Sequence, residues 1–202
     1  MKVPVPESLK QRITESLAQL DSAIKADVSQ RAEQAGKIAA YETEQGTVTA
    51  QITTLKGLIL QDAGAVGKIP TLQLRAEALA VALSDLRGTL AAMEPVSLAP
   101  VTSVLLAVID HYKTALPEAF ADAVGDVFGT RASAIAAANN SDGRRYLNGL
   151  ANRCYVWRSA TADNVSFIKE ILARALAGRP HLGVDIAPEP QPASQAVPAT
   201  SA

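Results

Sequence analysis

The sequence predicts an all-α protein with a coiled-coil-like N-terminal hairpin, a helical bundle and a disordered C-terminal tail. Three observations support this class. Apolar side chains recur every three or four residues along most of the chain, as they do on one face of a helix. Only 4% of the 202 residues are aromatic, and Ala and Leu, which favour helix over strand, supply most of the 48% that are hydrophobic. Proline and glycine concentrate at a few places that divide the periodic segments.

The first predicted helix begins near Glu7, after a short segment that alternating prolines keep extended, and ends near Gln45 with Gly46 as a left-handed cap. Its apolar residues follow a spacing closer to an 11-residue repeat than to a heptad, which predicts a nearly straight packing seam. We expect this seam to pair with another copy of the chain or with a partner protein. The seam residues are Leu9, Ile13, Leu17, Leu20, Ile24 and Val28.

The segment 47–69 is compatible with two structures. Val48, Ile52 and Leu55 are spaced as on a helix, whereas several β-branched threonines between them are typical of a strand. We favour a second helix that Pro70 ends, because a lone strand has no evident partner here. Residues 1–69 then form either an antiparallel hairpin of the first two helices, which we favour, or one long helix.

A helical bundle is expected over residues 70–179. The segment from Val101 to Ala115 is apolar almost all round, which indicates a central helix. Pro117 is expected in the first turn of the following helix, and Gly178 as the end of the last. The predicted helices lie near 71–93, 101–115, 117–138, 144–159 and 161–176. Residues 180–202, rich in Pro and Ala, are expected to be a flexible, disordered tail.

Charge is unevenly distributed, although the formal net charge is only -1. Acidic residues Glu118, Asp122 and Asp126 recur every fourth position and form a stripe on one helix face. The basic-aromatic segment 144–158 follows after a short loop. Its candidate interaction residues are Arg144, Arg145, Tyr146, Arg153, Trp157 and Arg158.

Two interpretations of the basic residues remain open. In the first, Arg153 and Arg158 neutralise the acidic stripe across a helical hairpin. That interpretation leaves Arg144 and Arg145 with Asp142 as their only local acid, at a helix start where the macrodipole disfavours cations. In the second interpretation, Arg144 and Arg145 therefore meet an anionic protein surface or a phosphate backbone.

No catalytic, metal-binding or cofactor-binding pattern occurs in the sequence. His111 and His181 lack neighbours at ligand spacing, and Cys154 is expected to be a buried, inert thiol. We therefore predict no enzyme activity, no cofactor and no small-molecule substrate. Since neither a secretory signal nor a span of roughly 20 apolar residues is present, the expected location is the cytoplasm or a virus particle assembled there.

The predicted function is that of a non-enzymatic structural or assembly protein that acts through helix–helix association. Its partner is expected to be itself or another protein, and the profile suits a component of a large particle such as a phage virion. The alternative is a nucleic-acid-associated helical protein that uses the basic-aromatic segment 144–158.

Overall fold

The computed structural model describes residues 2–59 and 63–181, and within them the protein is all-α, as predicted. No strand occurs in these two ranges; one isolated bridge joins Ser97 and Ser159. A single-turn 3₁₀ helix, Gly125–Phe128, precedes the fourth α-helix. The α-helices are α1 (Glu7–Leu58), α2 (Ala63–Ala92), α3 (Ala99–Val124), α4 (Arg131–Asn139), α5 (Asp142–Val156) and α6 (Ala162–Leu176). The predicted tail lies outside the described residues from 182 onward.

Of the two arrangements expected for residues 1–69, helix α1 forms the long helix, and the turn expected near Gly46 does not occur. The helix continues through Gly46 to Leu58, and Gly46 does not adopt the positive φ of a left-handed cap. The threonines that suggested a strand are accommodated in the helix, because the hydroxyls of Thr47, Thr53 and Thr54 each donate to the carbonyl four residues earlier. The glycine is tolerated without ending the helix.

Two prolines predicted at helix boundaries instead lie inside helices. Pro70 is within α2 and Pro117 within α3. A proline inside a helix leaves the carbonyl four residues earlier without its backbone donor. At Pro70 that carbonyl belongs to Val66, a residue that is 52% exposed. At the buried Pro117 the carbonyl belongs to Lys113, and it is satisfied by a side chain described below.

The chain forms two compact units, and their boundaries differ from the predicted division at residue 69, which falls inside α2. The first, here called the bundle unit, comprises the described residues of Met1–Leu20 and Ser97–Ala202. The second, here called the two-helix unit, is Asp21–Val96.

The core of the bundle unit is built around α3, in agreement with the prediction of a central helix. Leu105, Ile109 and Leu172 are at most 1% exposed. The N-terminal segment also contributes, since Val3 and Val5 are buried and the Val3 amide donates to the Gly178 carbonyl at 2.9 Å. Gly178 has a φ of 68° and ends the last helix, as expected.

Side-chain caps define the starts of α4, α5 and α6. Thr130, Ser141 and Thr161 each accept a hydrogen bond from the backbone amide three residues later. Such caps satisfy amides that have no partner within the helix and stabilise it by about 1 kcal/mol each. The prediction of Thr161 or Asp163 as the last cap is resolved in favour of Thr161.

Candidate association surface

Some residues of the predicted packing seam of the first helix are buried, and others are partly or largely exposed. Leu9, Ile13 and Leu20 are buried in the bundle unit, so these three side chains form its core and are not available as an association surface. Leu17 and Ile24 are half-buried. Only Val28, 61% exposed, remains open to a partner. Periodicity identified the apolar face of the helix correctly but could not say which residues pack against it.

The two-helix unit has a small core. Among its described residues, five apolar side chains are buried: Val48, Ala65, Ile69, Leu79 and Leu83. Two helices packed side by side can cover only one stripe of each other, because the remaining circumference of each faces outward. The unit therefore leaves much of its apolar surface in water.

Large apolar side chains on the outside of this unit outnumber those buried in it. The exposed ones are Val28, Tyr41, Leu58, Ile59, Val66, Leu74 and Val81. Leu74 is 67% exposed and Val81 62%, and since they are seven residues apart they lie on the same face of α2. We call Leu74 and Val81 the outer face of α2. Leu74 lies two residues from Leu72, which is the signal in the sequence that both side chains cannot point inward.

A long groove runs between the two helices of this unit. It has a volume of about 850 Å³ and is widely open. Its walls carry apolar and small polar side chains, with one cation. The lining residues are Thr47, Ala50, Gln51, Thr54 and Leu55 of α1, and Gly67, Lys68, Thr71 and Leu72 of α2. Such a groove has the shape and chemistry to accept a further helix.

Polar contacts between the two helices of the unit show their relative direction. Glu44 pairs with Arg75, and the Arg31 guanidinium donates to the Met93 carbonyl at 3.0 Å. The earlier of the two α1 residues thus contacts the end of α2 and the later one contacts its middle, which makes the helices antiparallel. The Glu44–Arg75 ion pair is largely exposed and contributes about 0–1 kcal/mol, so it sets direction more than stability. The predicted coiled-coil character of the packing stays a prediction.

The basic-aromatic segment forms α5, and two of its arginines have partners within the protein. The Arg144 guanidinium donates to the Lys113 carbonyl, the group that Pro117 deprives of its backbone donor. Arg145 pairs with Asp142 one turn earlier. The local compensation by Asp142 is thus found for Arg145, whereas Arg144 has a backbone carbonyl rather than an acid as its partner. Long-range packing supplies the partner of Arg144, which a local reading of charge cannot find.

Two of the three acids of the acidic stripe, Glu118 and Asp122, pair with a different arginine from those predicted. Arg131, at the start of α4, binds Glu118 at 2.6 Å and Asp122 at 2.9 Å, and these contacts raise its pKa. Arg153 and Arg158 make no ion pair with any residue that the structure describes. The chain reverses direction at Gly129. An arginine of α4, rather than one of the basic-aromatic segment, is therefore the one that contacts the acidic residues.

The aromatic residues of α5 mostly pack within the bundle unit. The Tyr146 hydroxyl bonds the His181 Nδ1 at 2.9 Å and the two rings are stacked, while Trp157 meets Phe167 edge-on. Tyr155 differs, being 70% exposed. Rings that are already stacked are poorly placed to receive bases, so this surface offers little of the platform that single-stranded nucleic acid requires.

Chemically reactive groups are few in the described residues. Cys154 is buried, and burial raises its thiol pKa to about 11, so the thiol stays protonated near neutrality. His111 Nε2 lies 3.2 Å from the Pro4 carbonyl. Across residues 2–59 and 63–181, no three His, Cys, Asp or Glu side chains are grouped to hold a metal ion, and no helix is both apolar enough and long enough to cross a bilayer.

Fold and surface together define an all-α protein whose clearest candidate site is an apolar helical surface. Comparison with known proteins finds no matching family model, no matching curated protein and no matching solved structure. Inference about function therefore depends on the geometry described above.

Proposed function

We propose that the protein is a non-enzymatic assembly protein that associates with copies of itself through the two-helix unit. One observation carries this proposal: seven large apolar side chains are exposed on a unit that buries five. Covering such side chains releases about 25 cal/mol per Å² of apolar area, which is the main driving force for helix association in water.

A second copy is the partner that best fits the charge of this unit. Asp21–Val96 contains seven basic and nine acidic residues, so two copies approach each other without strong repulsion. A partner selected by electrostatics would instead be expected to meet a surface of one sign. The outer face of α2 and the groove are both largely uncharged, which favours a helical partner with similar apolar side chains.

The proposed role is that of a building block. An extended helical pair that joins copies, together with a bundle unit built on its own core, suits a component of a large particle such as a phage virion. The nucleic-acid alternative is less well supported, because Arg145 pairs with Asp142 and the rings of Tyr146 and Trp157 already pack against neighbouring rings.

The direct test is the mass of the full chain in solution. Light scattering between 1 and 200 µM is expected to show a mass that rises from the 21.1 kDa monomer to a multiple of it. Replacing the outer face with polar groups, Leu74→Gln with Val81→Gln, should weaken association at least tenfold, because two apolar contacts of about 1.5–3 kcal/mol each are reduced.

A matched control is available in the bundle unit. Val127→Gln with Val156→Gln removes two valines that are 83% and 71% exposed, and it should leave the mass unchanged. Apolar association should also persist between 50 and 500 mM salt, whereas contact with a phosphate backbone weakens steeply over that range. A wild-type chain that is monomeric at 200 µM, or equal effects of the two variant pairs, would contradict the proposal.

A further inference from the structure

A second concave site lies within the bundle unit, between α3, the 3₁₀ helix, α4 and the start of α5. Its volume is about 340 Å³, near the lower end of the range for small-molecule sites. Aromatic and aliphatic side chains form most of its wall. They include Tyr112, Leu116, Phe120, Phe128 and Leu147, and the Phe120 and Phe128 rings meet edge-on with centroids 5.6 Å apart.

Arg144 is the one charged side chain in this wall, which contains no Asp or Glu. Its guanidinium gives one N–H to the Lys113 carbonyl and makes no ion pair within the described residues. A guanidinium has five N–H donors in a fixed plane, so several remain for another acceptor. The half-buried cation thus borders an apolar cavity with no counter-charge in the cavity wall.

We propose that this cavity binds a small monocarboxylate with an apolar body of about ten carbon atoms. The carboxylate would pair with the Arg144 guanidinium, and the body would lie against Phe120, Phe128 and Leu147. This site is in the bundle unit, so it does not depend on the proposed association of the two-helix unit.

The size of the ligand follows from the volume. A water molecule occupies about 30 Å³ in the liquid. A methylene group is of similar size, so a cavity of about 340 Å³ is on the scale of an apolar body of roughly ten carbon atoms. The charge of the ligand follows from the wall: a cation would face Arg144 with no acid nearby, and an uncharged group would leave guanidinium donors unused. Phosphate esters usually require several cations or a row of backbone amides, and the wall provides one cation.

The test uses decanoate and its uncharged analogue 1-decanol, measured by isothermal titration calorimetry on the full chain. Decanoate is expected to bind one site per chain with a Kd between about 10 µM and 1 mM, as its size allows. 1-Decanol should bind at least about tenfold more weakly, because it forms no charge-assisted hydrogen bonds with Arg144.

Neighbouring arginines provide the matched variants. Arg144→Gln should remove the preference for decanoate over 1-decanol, whereas Arg145→Gln should keep it. Arg145 carries the same charge one position away, is largely exposed and does not line the cavity. Equal binding of acid and alcohol by the wild type, or equal loss in both variants, would overturn the proposal.

A third variant keeps the test decisive if Arg144→Gln disturbs folding. Ala138→Leu adds three carbons to the cavity wall from α4 and leaves Arg144 in place. It should weaken decanoate and 1-decanol together by about tenfold or more, because the space is filled. Unchanged affinity for both ligands would show that they bind elsewhere, and the assigned site would be wrong. Since mass in solution is measured separately, failure here leaves the association proposal unaffected.

Discussion

The Arg144 guanidinium donates a hydrogen bond to the carbonyl of Lys113, four residues before Pro117 in the same helix. Pro117 has no N–H, so this carbonyl lacks the donor that any other residue would supply. A side chain from α5 takes the place of the missing backbone amide. This contact explains both how α3 continues through a buried proline and why a cation is tolerated near the start of α5.

A double-mutant cycle tests this relationship. Arg144→Ala should lower the free energy of unfolding by about 1–2 kcal/mol, because the Lys113 carbonyl loses its partner. In a Pro117→Ala background the new amide satisfies that carbonyl, so the cost of Arg144→Ala should be smaller by about 1 kcal/mol. Urea denaturation of the four proteins provides the measurement.

The control for this cycle is Arg145→Ala. Its ion pair with Asp142 is exposed, and the change should cost less than about 0.5 kcal/mol in both backgrounds. If Arg144→Ala costs the same with and without Pro117, the guanidinium does not substitute for the missing amide.

Substitution of Tyr112 is predicted to stabilise the protein, in contrast to substitution of Arg144. The Tyr112 hydroxyl is buried without a hydrogen-bond partner among the described residues, and burial raises its pKa to about 12. An unsatisfied buried hydroxyl destabilises the folded state, so Tyr112→Phe should raise the free energy of unfolding by about 1 kcal/mol. Tyr146→Phe loses the bond to His181 and should lower it by about 0.5–1.5 kcal/mol. If thermal unfolding shows Tyr112→Phe to be the less stable of the two variants, the Tyr112 hydroxyl has a hydrogen-bond partner in the folded protein.

Gly46 tests the continuity of α1, and Gly178 provides the contrast. Gly46 lies inside the helix with nothing within 4 Å of where a Cβ would lie, so Gly46→Ala should stabilise the protein by about 0.5–1 kcal/mol. Gly178 has a φ of 68° and its Cβ would approach the Pro4 Cα at 3.4 Å, so Gly178→Ala should destabilise it by about 1–2 kcal/mol. Destabilisation by Gly46→Ala would instead indicate a turn at that position. Urea midpoints of the two variants measure both effects.

Cys154 predicts how stability changes at alkaline pH. Desolvation raises its pKa from 9.0 to about 11 in the folded protein. Because the unfolded chain releases this proton near pH 9 and the folded chain holds it, the free energy of unfolding falls as pH rises from 9 to 11. The urea midpoint should therefore drop less between pH 8 and pH 10 in Cys154→Ala than in the wild type. Equal drops in the two proteins would mean that the thiol is not shielded from solvent.

The all-α class was predictable because helical periodicity is a local property of the sequence. Caps such as Thr161 and the end at Gly178 were also predictable, since a few neighbouring residues determine them. The helix boundaries expected at Pro70 and Pro117 were not predictable in this way. Whether a proline ends a helix depends on what satisfies the orphaned carbonyl, and Pro117 depends on Arg144, which is 27 positions away.

The candidate surface was predicted less well than the fold. The seam of Leu9, Ile13 and Leu20 has the pattern of an association face, but the bundle unit uses it as core. Periodicity shows that a face will be covered and does not show whether the same chain covers it. The exposed pair Leu74 and Val81 was not singled out, because helical spacing alone does not show which apolar residues stay exposed.

The central claim is that the two-helix unit completes its packing with another copy of the chain. Amide hydrogen exchange at 2 µM and 200 µM tests this claim most directly, because protection reports the stability of each region separately. Association should increase protection of residues 21–96 at least tenfold at the higher concentration, while amides of α3 and α5 change little. Protection of residues 21–96 that is the same at both concentrations, in a chain that stays monomeric, would contradict the account.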